Sequence, residues 1–534
     1  MAESVARRAF AAGSEFLSRV PVLKHALKER LLDVIAQPWV QQREYRRWRR
    51  RHYPSAETLT ALRQEAEALP VQPLIAVQFP SAPDRAAEAS VTAQCYSRWV
   101  LGDDPAAEWV AYLGDARARL WPNALAEVVR RINADPTLDA IYTDEEDFGL
   151  HPLFKPEWNR ELAESTDLLG GLVVVRSSVL TPAAAGHGRT QRILEEVDRV
   201  GRLPAVLVTA PAATADPVAV AQHLVAAGLQ GADVQTTADP AVVEVSPALL
   251  GRPMVSIVIP SRNSLGIVRR CLESVAGLST YDHYEIVLVD TGSDDPEVWA
   301  YYADFAALHK NFVVVPFGEK PFSYSLSCNL GAAKSKGEVL IFLNNDTEVI
   351  TPEWMERLVA EAQRPGVAAV GPLLLFPGGR RIQHAGVGVG FGAVAANLLS
   401  GVAIKGPMTR TQHLLASCRR GTSAVTGACL AVRAEVFWSV GGFDPELRIT
   451  FNDVDLCCAM GRLGYTNVYV PQVRLLHHES VSVNKLVAGR RDWVEVDAAL
   501  DLMRRRWADL IADDPALNPN LDRGDARCRF APKA

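Results

Sequence analysis

The chain has 534 residues, of which 48% are hydrophobic, 22% charged and 7% aromatic; such a balance builds large cores and excludes a disordered, collagen-like or single small-module protein. Formal net charge is −6, which excludes a globally basic nucleic-acid coat. Residues 1–52 nevertheless carry 12 Lys or Arg against 5 Asp or Glu, a local +7 that leaves −13 for the remainder. At roughly 150 residues per domain the length predicts three or four units.

Residues 1 to 65 read as a basic helical region. Apolar side chains recur at three- and four-residue spacing through FLSRVPVLKHALKERLLDVIAQPWV, and REYRRWRRRHY follows as a dense basic segment with aromatics. Two readings stay open for it. One is a helix lying on anionic membrane, each Arg near the surface contributing about 1 kcal/mol; the other is a helix packed on the next domain. Nucleic acid is not an expected partner, because no stacking platform accompanies the basic run. Glu15, Arg19, Lys24 and Lys28 interrupt any apolar leader, and the eight cysteines include no CxxC pair. Reduced thiols and a cytoplasmic setting are the expectation.

From Val255 the chain alternates short apolar runs (VSIVI, EIVLV, FVVV, VLIFL) with helical stretches such as GIVRRCLESVAGL. That alternation predicts α/β architecture with βαβ crossovers, and ligands then bind beyond the carboxyl ends of the strands. Polar or acidic clusters follow three of these strands: Pro260 to Asn263, Asp290 to Asp295, and Asn344 to Asp346. A carboxylate such as Asp346 at a strand end suits a hard divalent cation that bridges protein to substrate phosphates. No Walker or dinucleotide glycine motif follows any strand. The uncharged run 385–404 holds five glycines and reads as loop and strand around a site. Asp453 and Asp455 open a helical segment, and His477 and His478 close a strand-like one. Near the end, apolar residues at 496, 499, 500, 503 and 507 predict a packed helix.

An internal repeat, offset by about 180 residues over its first two segments, precedes this region. PLIAVQFPSAPD parallels MVSIVIPSRN, CYSRWVLGDD parallels YDHYEIVLVD, and YLGDARARLWPNALAEVVRRINADP parallels IFLNNDTEVITPEWMERLVAEAQRP.

Residues 253–485 resemble a family 2 glycosyltransferase with the GT-A fold, of the bacterial rhamnosyltransferase-like kind. VSIVIPSRN, YEIVLVDTGSDDPE, PFSYSLSCNLGAAKSKGEVLIFLNNDTEVITPEW, RPGVAAVGPLLLFPGGRRIQHAG, TGACLAVRAEVFWSVGGFDPEL, FNDVDLCCAMGRLGY and LLHHES carry the resemblance, in that order. It implies a Rossmann-like mixed sheet, present twice. The expected divisions are a basic lead (1–65), a degenerate GT-A-like domain (66–250), a catalytic GT-A domain (251–485) and a helical tail (486–534).

The resemblance also implies a site. Asp290 pairs with the nucleotide base, and Pro260, Arg262, Asn263, Asn329, Asn344 and Asn345 complete the nucleotide-sugar pocket. Asp346 and His477 hold Mn²⁺ or Mg²⁺, with His478 supporting His477. Asp453 is the general base of an inverting displacement, and Gly427 and Asn452 border the acceptor. The metal-binding motif departs from the family pattern, since Asn344-Asn345-Asp346 offers one carboxylate. The implied donor is a UDP- or dTDP-sugar and the implied acceptor a glycan, free or lipid-linked, in cell-surface polysaccharide assembly at the inner face of the cytoplasmic membrane. The alternative is an inactive glycan-binding or assembly scaffold; a processive membrane synthase is disfavoured for want of spanning helices.

In the first copy only about ten residues separate Asp104 from Asp115, against 56 between Asp290 and Asp346, and no histidine pair follows. This copy is expected to be non-catalytic. Its DEED run (144–147) is expected to be solvated surface or an inherited fold signature.

Overall fold

The computed structural model describes residues 38–179, 188–318, 320–478 and 490–531. The amphipathic part of the predicted basic lead, residues 1–37, lies outside them.

Two mixed sheets dominate. The first contains β1 (Ile75–Gln78), β2 (Trp99–Leu101), β3 (Trp109–Leu113), β4 (Arg119–Leu120), β5 (Ala140–Glu146), β6 (Pro152–Leu153), β7 (Leu172–Arg176) and β8 (Val200–Thr209). A small hairpin follows, β9 (Asp233–Thr236) with β10 (Val243–Ser246). The second sheet contains β11 (Val255–Ser261), β12 (Tyr284–Asp290), β13 (Phe312–Pro316), β14 (Val339–Leu343), β15 (Thr347–Val349), β16 (Val367–Leu375) and β17 (Ile382–His384). The hairpin β18 (Val387–Val389) and β19 (Ala395–Asn397) stands apart from it, and β20 (Arg420–Thr422), β21 (Cys429–Arg433) and β22 (Thr466–His477) complete it.

The strand order is β2-β1-β3-β7-β5-β8-β4 in the first sheet and β13-β12-β11-β14-β21-β16-β22-β15 in the second. Without β13 the two orders correspond strand for strand. The pairing senses correspond too: β1 is parallel to β2 and β3 as β11 is to β12 and β14. The β3–β7 and β14–β21 pairs are antiparallel, β5–β8 and β16–β22 are parallel, and β4–β8 and β15–β22 are antiparallel. The sequence repeat is thus a repeat of architecture. The first copy lacks the helix Pro296–Leu308, β13 and the helix Tyr324–Lys334, the elements that lie between β12 and β14 in the second.

Physical chemistry accounts for the strands at the centre of the second sheet. β11, β14 and β16 are buried along their whole length, as unbroken apolar runs require when helices cover both faces. The helix Leu265–Leu278 buries Val268, Cys271, Leu272 and Val275, one apolar stripe at three- and four-residue spacing. The uncharged run 385–404 forms the β18–β19 hairpin and its turns, as expected of loop and strand. Among the described residues no helix is long and apolar enough to cross a membrane.

The helix Pro38–His52 settles how its aromatics are used. Tyr45 and Trp48 are buried in one core with Phe154, Trp121 and Phe530, and Arg49 reaches Glu146 at 2.9 Å. Arg43, Arg46, Arg47, Arg50 and Arg51 are exposed on the opposite face. At the other end of the chain, the helix Arg490–Arg506 buries Ala499 and Met503, and Trp507 follows them into the core.

The DEED expectation is corrected here. Asp144, Glu145 and Glu146 are each at most 1% exposed, and each closes a different junction. Asp144 accepts from Asn518 of the C-terminal tail at 2.9 Å. Glu145 takes Lys155 at 2.9 Å and Arg410 of the second copy at 2.6 Å. Glu146 takes Arg49, Tyr45 and Trp121. Burial is tolerated because Glu145 and Glu146 are paired with cations and Asp144 is hydrogen-bonded by amides. A second buried cluster joins the copies, with Arg419 bridging Glu164 and Glu361 while Arg364 lies within 3.4 Å of Glu161.

Candidate functional site

The site forms at the carboxyl ends of β11, β12 and β14, where the polar clusters emerge. Ser261 and Asp290 are neighbours in the parallel register of β11 and β12. Asp290 is 1% exposed, and its Oδ1 accepts the Gly292 and Ser293 amides at 3.0 and 2.8 Å. Its Oδ2 accepts the Ser293 hydroxyl at 2.5 Å. Each carboxylate oxygen has further lone pairs, so the residue shapes its loop and keeps acceptor capacity.

Asn263 crosslinks the two loops. Its backbone occupies the left-handed region at φ 50°, its Nδ2 donates to Asp294 at 2.8 Å and its Oδ1 accepts the amides of Asp294 and Asp295. Arg262 donates to Gly292 O at 3.2 Å and is otherwise exposed, while Pro260 is buried in β11. Asn329 has a different task from the expected pocket wall. Its Nδ2 donates to Phe443 O at 2.7 Å and its Oδ1 accepts Phe443 N at 2.9 Å. Both ends of the amide thus tie the helix Tyr324–Lys334 to the GGFDPEL loop.

Asn344, Asn345 and Asp346 follow β14. Asn345 donates to Ser261 Oγ at 3.0 Å, and Asn344 N donates to Ala428 O at 3.0 Å. Asp346 is 6% exposed. Antiparallel pairing of Thr347 with His477 places the last residue of β22 beside it, and Asp346 Oδ1 lies 3.0 Å from His477 Nε2. Behind the imidazole stands Gln383, 3% exposed, with Oε1 2.6 Å from His477 Nδ1. That amide oxygen accepts a hydrogen bond from Nδ1, which fixes the ring with Nε2 facing the Asp346 carboxylate. His478 does not support His477 as expected. It faces Glu348 at 2.8 Å and Arg270 at 3.3 Å.

Asp453 starts the helix Asn452–Arg462, just after Phe451, whose φ of 62° is strained for a bulky residue. Asp453 Oδ2 accepts the Gly427 amide at 2.7 Å, and Oδ1 accepts Val454 N at 2.9 Å. Burial pushes its carboxyl above the usual range, against the pull of those amides. Asn452 is buried; its Oδ1 accepts the Asp453 amide, and its Nδ2 has no partner among the described residues. Tyr324 donates to Gly427 O at 2.9 Å. Asp455 belongs to the fold, since Arg506 and Trp507 both reach it at 2.8 Å.

The predicted residues therefore converge through contacts: Asp346 with His477, Asn344 with Ala428, Gly427 with Asp453. Gln383 and Tyr324 are the members that residue-by-residue reading left out. Both sit inside segments that resemble the family, RRIQHAG and PFSYSLSCN, where neighbouring residues had drawn the assignments.

Sheet order, crossovers and the placement of this site define the fold class, GT-A. Residues 256–441 match the model of glycosyl transferase family 2, and this part of the chain is a family 2 glycosyltransferase domain. Asp453 and His477 lie beyond the matched segment. The chain is 34% identical to uncharacterized protein y4gI of Sinorhizobium fredii over 75% of its own length and 47% of that protein. It is also 34% identical to the O-antigen biosynthesis protein RfbC of Myxococcus xanthus, over 78% of this chain and 34% of that one. An N-acetylglucosaminyl-diphospho-decaprenol L-rhamnosyltransferase of Mycobacterium tuberculosis is 32% identical over 25% of this chain and 45% of its own. The chain thus spans less than half the length of these relatives. Among solved structures, GalNAc-T7 with UDP, GalNAc and Mn²⁺ aligns over 43% of this chain and 44% of that one, at 21% identity and a TM-score of 0.37.

Proposed function

We infer that the protein is an inverting glycosyltransferase that moves a sugar from a UDP- or dTDP-sugar to a glycan acceptor in polysaccharide assembly. The carrying observation is the chain of contacts that sets Asp346 and His477 on one side of Gly427 and Asp453 on the other, at a single sheet edge. The name of the Myxococcus xanthus relative supports the biosynthetic setting.

The donor set suits a divalent cation. Asp346 and His477, whose Oδ1 and Nε2 lie 3.0 Å apart at the sheet edge, would hold the cation, a carboxylate being a ligand that suits Mg²⁺ or Mn²⁺. Among the described residues no group of three or more His, Cys, Asp or Glu could hold a metal ion, so Asp346 and His477 would share it with substrate oxygens and water. Such a cation, when bound, offsets the charge of the departing diphosphate.

The protein's own groups do the rest. Asp290, with Ser293 and Gly292 shaping it, presents the acceptor for the nucleotide base. Asn263 holds the two nucleotide loops together, and Asn344 and Asn345 line the donor side. Asp453 takes the proton from the attacking acceptor hydroxyl, and its burial makes it a stronger base than an ordinary aspartate. Gly427 and Asn452 border the acceptor, with the Asn452 amide free to donate. The test is release of nucleoside diphosphate from a panel of UDP- and dTDP-sugars with Mn²⁺ or Mg²⁺. Asp453→Asn should lower kcat by roughly 10²–10⁴-fold; an unchanged rate rejects the assignment.

The division into basic lead, first copy, catalytic copy and tail belongs to this reading. The first copy is read as non-catalytic because β8 ends in Thr209 where β22 ends in His477, and because β13 and the Tyr324–Lys334 helix have no counterpart. The exposed arginine face of Pro38–His52 supports peripheral contact with anionic membrane, at the cytoplasmic face where a lipid-linked acceptor is handled.

A further inference from the structure

We propose that the junction between the two copies holds a second glycan-binding site, remote from the transfer centre, for neutral sugar residues. It deepens the glycan-acceptor reading and rests on it for its purpose.

The junction contains a cavity of about 330 Å³, within the range of small-ligand pockets, which favour domain interfaces. Three parts of the chain build it: Pro156 to Asn159 of the first copy, the start of β22 with the end of the Asn452–Arg462 helix, and residues 509–516 of the tail. The cavity exists only because the copies are docked. Asn159 Oδ1 accepts Gly421 N at 2.8 Å across the junction, and any side chain at 421 would collide with Asn159 Nδ2.

The lining is chemically distinctive. Trp158 and Tyr465 supply flat apolar area, the kind of surface on which the C–H face of a sugar ring rests. Among the described residues, Trp158 Nε1, Tyr465 Oη, Thr466 Oγ1 and Asn159 Nδ2 make no hydrogen bond, and none is among the buried atoms left without a partner, so they are open to solvent and to a ligand. The charges nearby are already paired. Arg462 stacks on Trp507 at 4.0 Å, donates to Arg506 O and lies 3.5 Å from Asp509, while Glu157 pairs with Arg202 at 3.0 Å. Aromatic surface with neutral donors and acceptors, and no uncommitted cation, fits a polyhydroxylated neutral ligand and disfavours phosphates and nucleotides.

The location gives the site its use. Gly461 lines the cavity and Asp453 begins the same helix, so eight residues at 1.5 Å rise separate them by about 12 Å. A glycan engaged at both places would stay bound between transfers, since a second contact on one chain acts at high effective concentration. The first copy would then contribute binding surface where it contributes no chemistry.

Saturation-transfer NMR on the full chain, with methyl glycosides and linear disaccharides of rhamnose, mannose, galactose, glucose and N-acetylglucosamine, tests this directly. At least one of these probes should bind, Tyr465→Ala and Thr466→Arg should each weaken it by roughly tenfold, and Asp453→Asn should leave it unchanged. Two independent variants guard against misfolding of either. Absence of binding by every probe, or binding that both folded cavity variants retain, overturns the proposal. Nucleoside diphosphate release is measured separately: cavity binding without transfer rejects the enzymatic reading alone, and transfer without cavity binding rejects this site alone.

Discussion

At the scale of single residues the site depends on pairs, and the sequence names both members of Asp346–His477 and Gly427–Asp453 but only one of His477–Gln383. Asp346, His477 and Asp453 stand out as a strand-end carboxylate, a strand-end histidine and a helix-start carboxylate. Gln383 does not, because nothing in a buried glutamine of β17 announces which ring it will face. Gln383→Leu should weaken Mn²⁺ affinity by roughly 10–100-fold while Gln383→Glu, which restores an acceptor to Nδ1, recovers most of it; titration followed by electron paramagnetic resonance reads both. Equal loss in the two variants would make Gln383 a packing residue. Burial raises the Asp453 carboxyl, and a base must be deprotonated to act. The acid limb of the kcat–pH profile should therefore fall at a pH above the ordinary aspartate value of about 3.9, and should vanish from the residual activity of Asp453→Asn.

Elements show how one sequence pattern serves two ends. Positions 43, 46, 47, 50 and 51 lie on one side of a 3.6-residue helix and positions 45, 48 and 49 on the other, so the spacing makes Pro38–His52 two-faced. Which face meets protein was open in the sequence, and the core around Phe154 and Phe530 takes the aromatic one. Were this helix to meet a membrane, the contact would be electrostatic, because Tyr45 and Trp48 are taken by that core. Binding to phosphatidylserine vesicles should be strong at low ionic strength, weaken as the Debye length shrinks toward about 8 Å near 0.15 M salt, and drop at least tenfold in a variant with Arg43, Arg46, Arg47 and Arg50 changed to Gln. Salt-independent binding in a sedimentation assay would reject the idea. The same division of labour appears in the acid pair at the start of Asn452–Arg462, where Asp453 faces Gly427 and Asp455 anchors the tail through Arg506.

In the whole molecule, three consecutive acids of the first copy hold three other parts of the chain, and their titration should be visible in stability. Burial opposes the charge of Glu145 and Glu164, yet Lys155 with Arg410, and Arg419, hold them down to about 2. Their stabilising contribution is complete above the ordinary glutamate range and is lost as pH falls from about 4.5 toward 2. Asp144 behaves oppositely: burial raises it to about 6, so the folded state retains its proton longer than the unfolded chain and stability declines as pH rises through that value. Tm followed across pH should pass through a maximum between these two transitions. Asn518→Ala removes a hydrogen bond to ionised Asp144 and should steepen the upper loss. A Tm flat from pH 3 to 7 would contradict the pairing described here.

The sequence by itself determined the elements, the repeat and the chemistry of the strand ends. Apolar runs, helix periodicity and polar clusters are local, and local patterns survive without knowledge of partners. VSIVI, EIVLV and VLIFL form β11, β12 and β14, and the stretch missing from the first copy is missing as a strand and two helices. Only the tertiary structure decided what each polar group does. Asp144, Glu145 and Glu146 lie deep inside because Lys155, Arg410, Asn518 and Arg49 arrive from up to 374 residues away, Asn329 is claimed by Phe443, and the cavity between the copies arises where three distant segments meet. Burial and pairing set the energy of a charge or an amide, and both are properties of neighbours that the chain acquires only on folding.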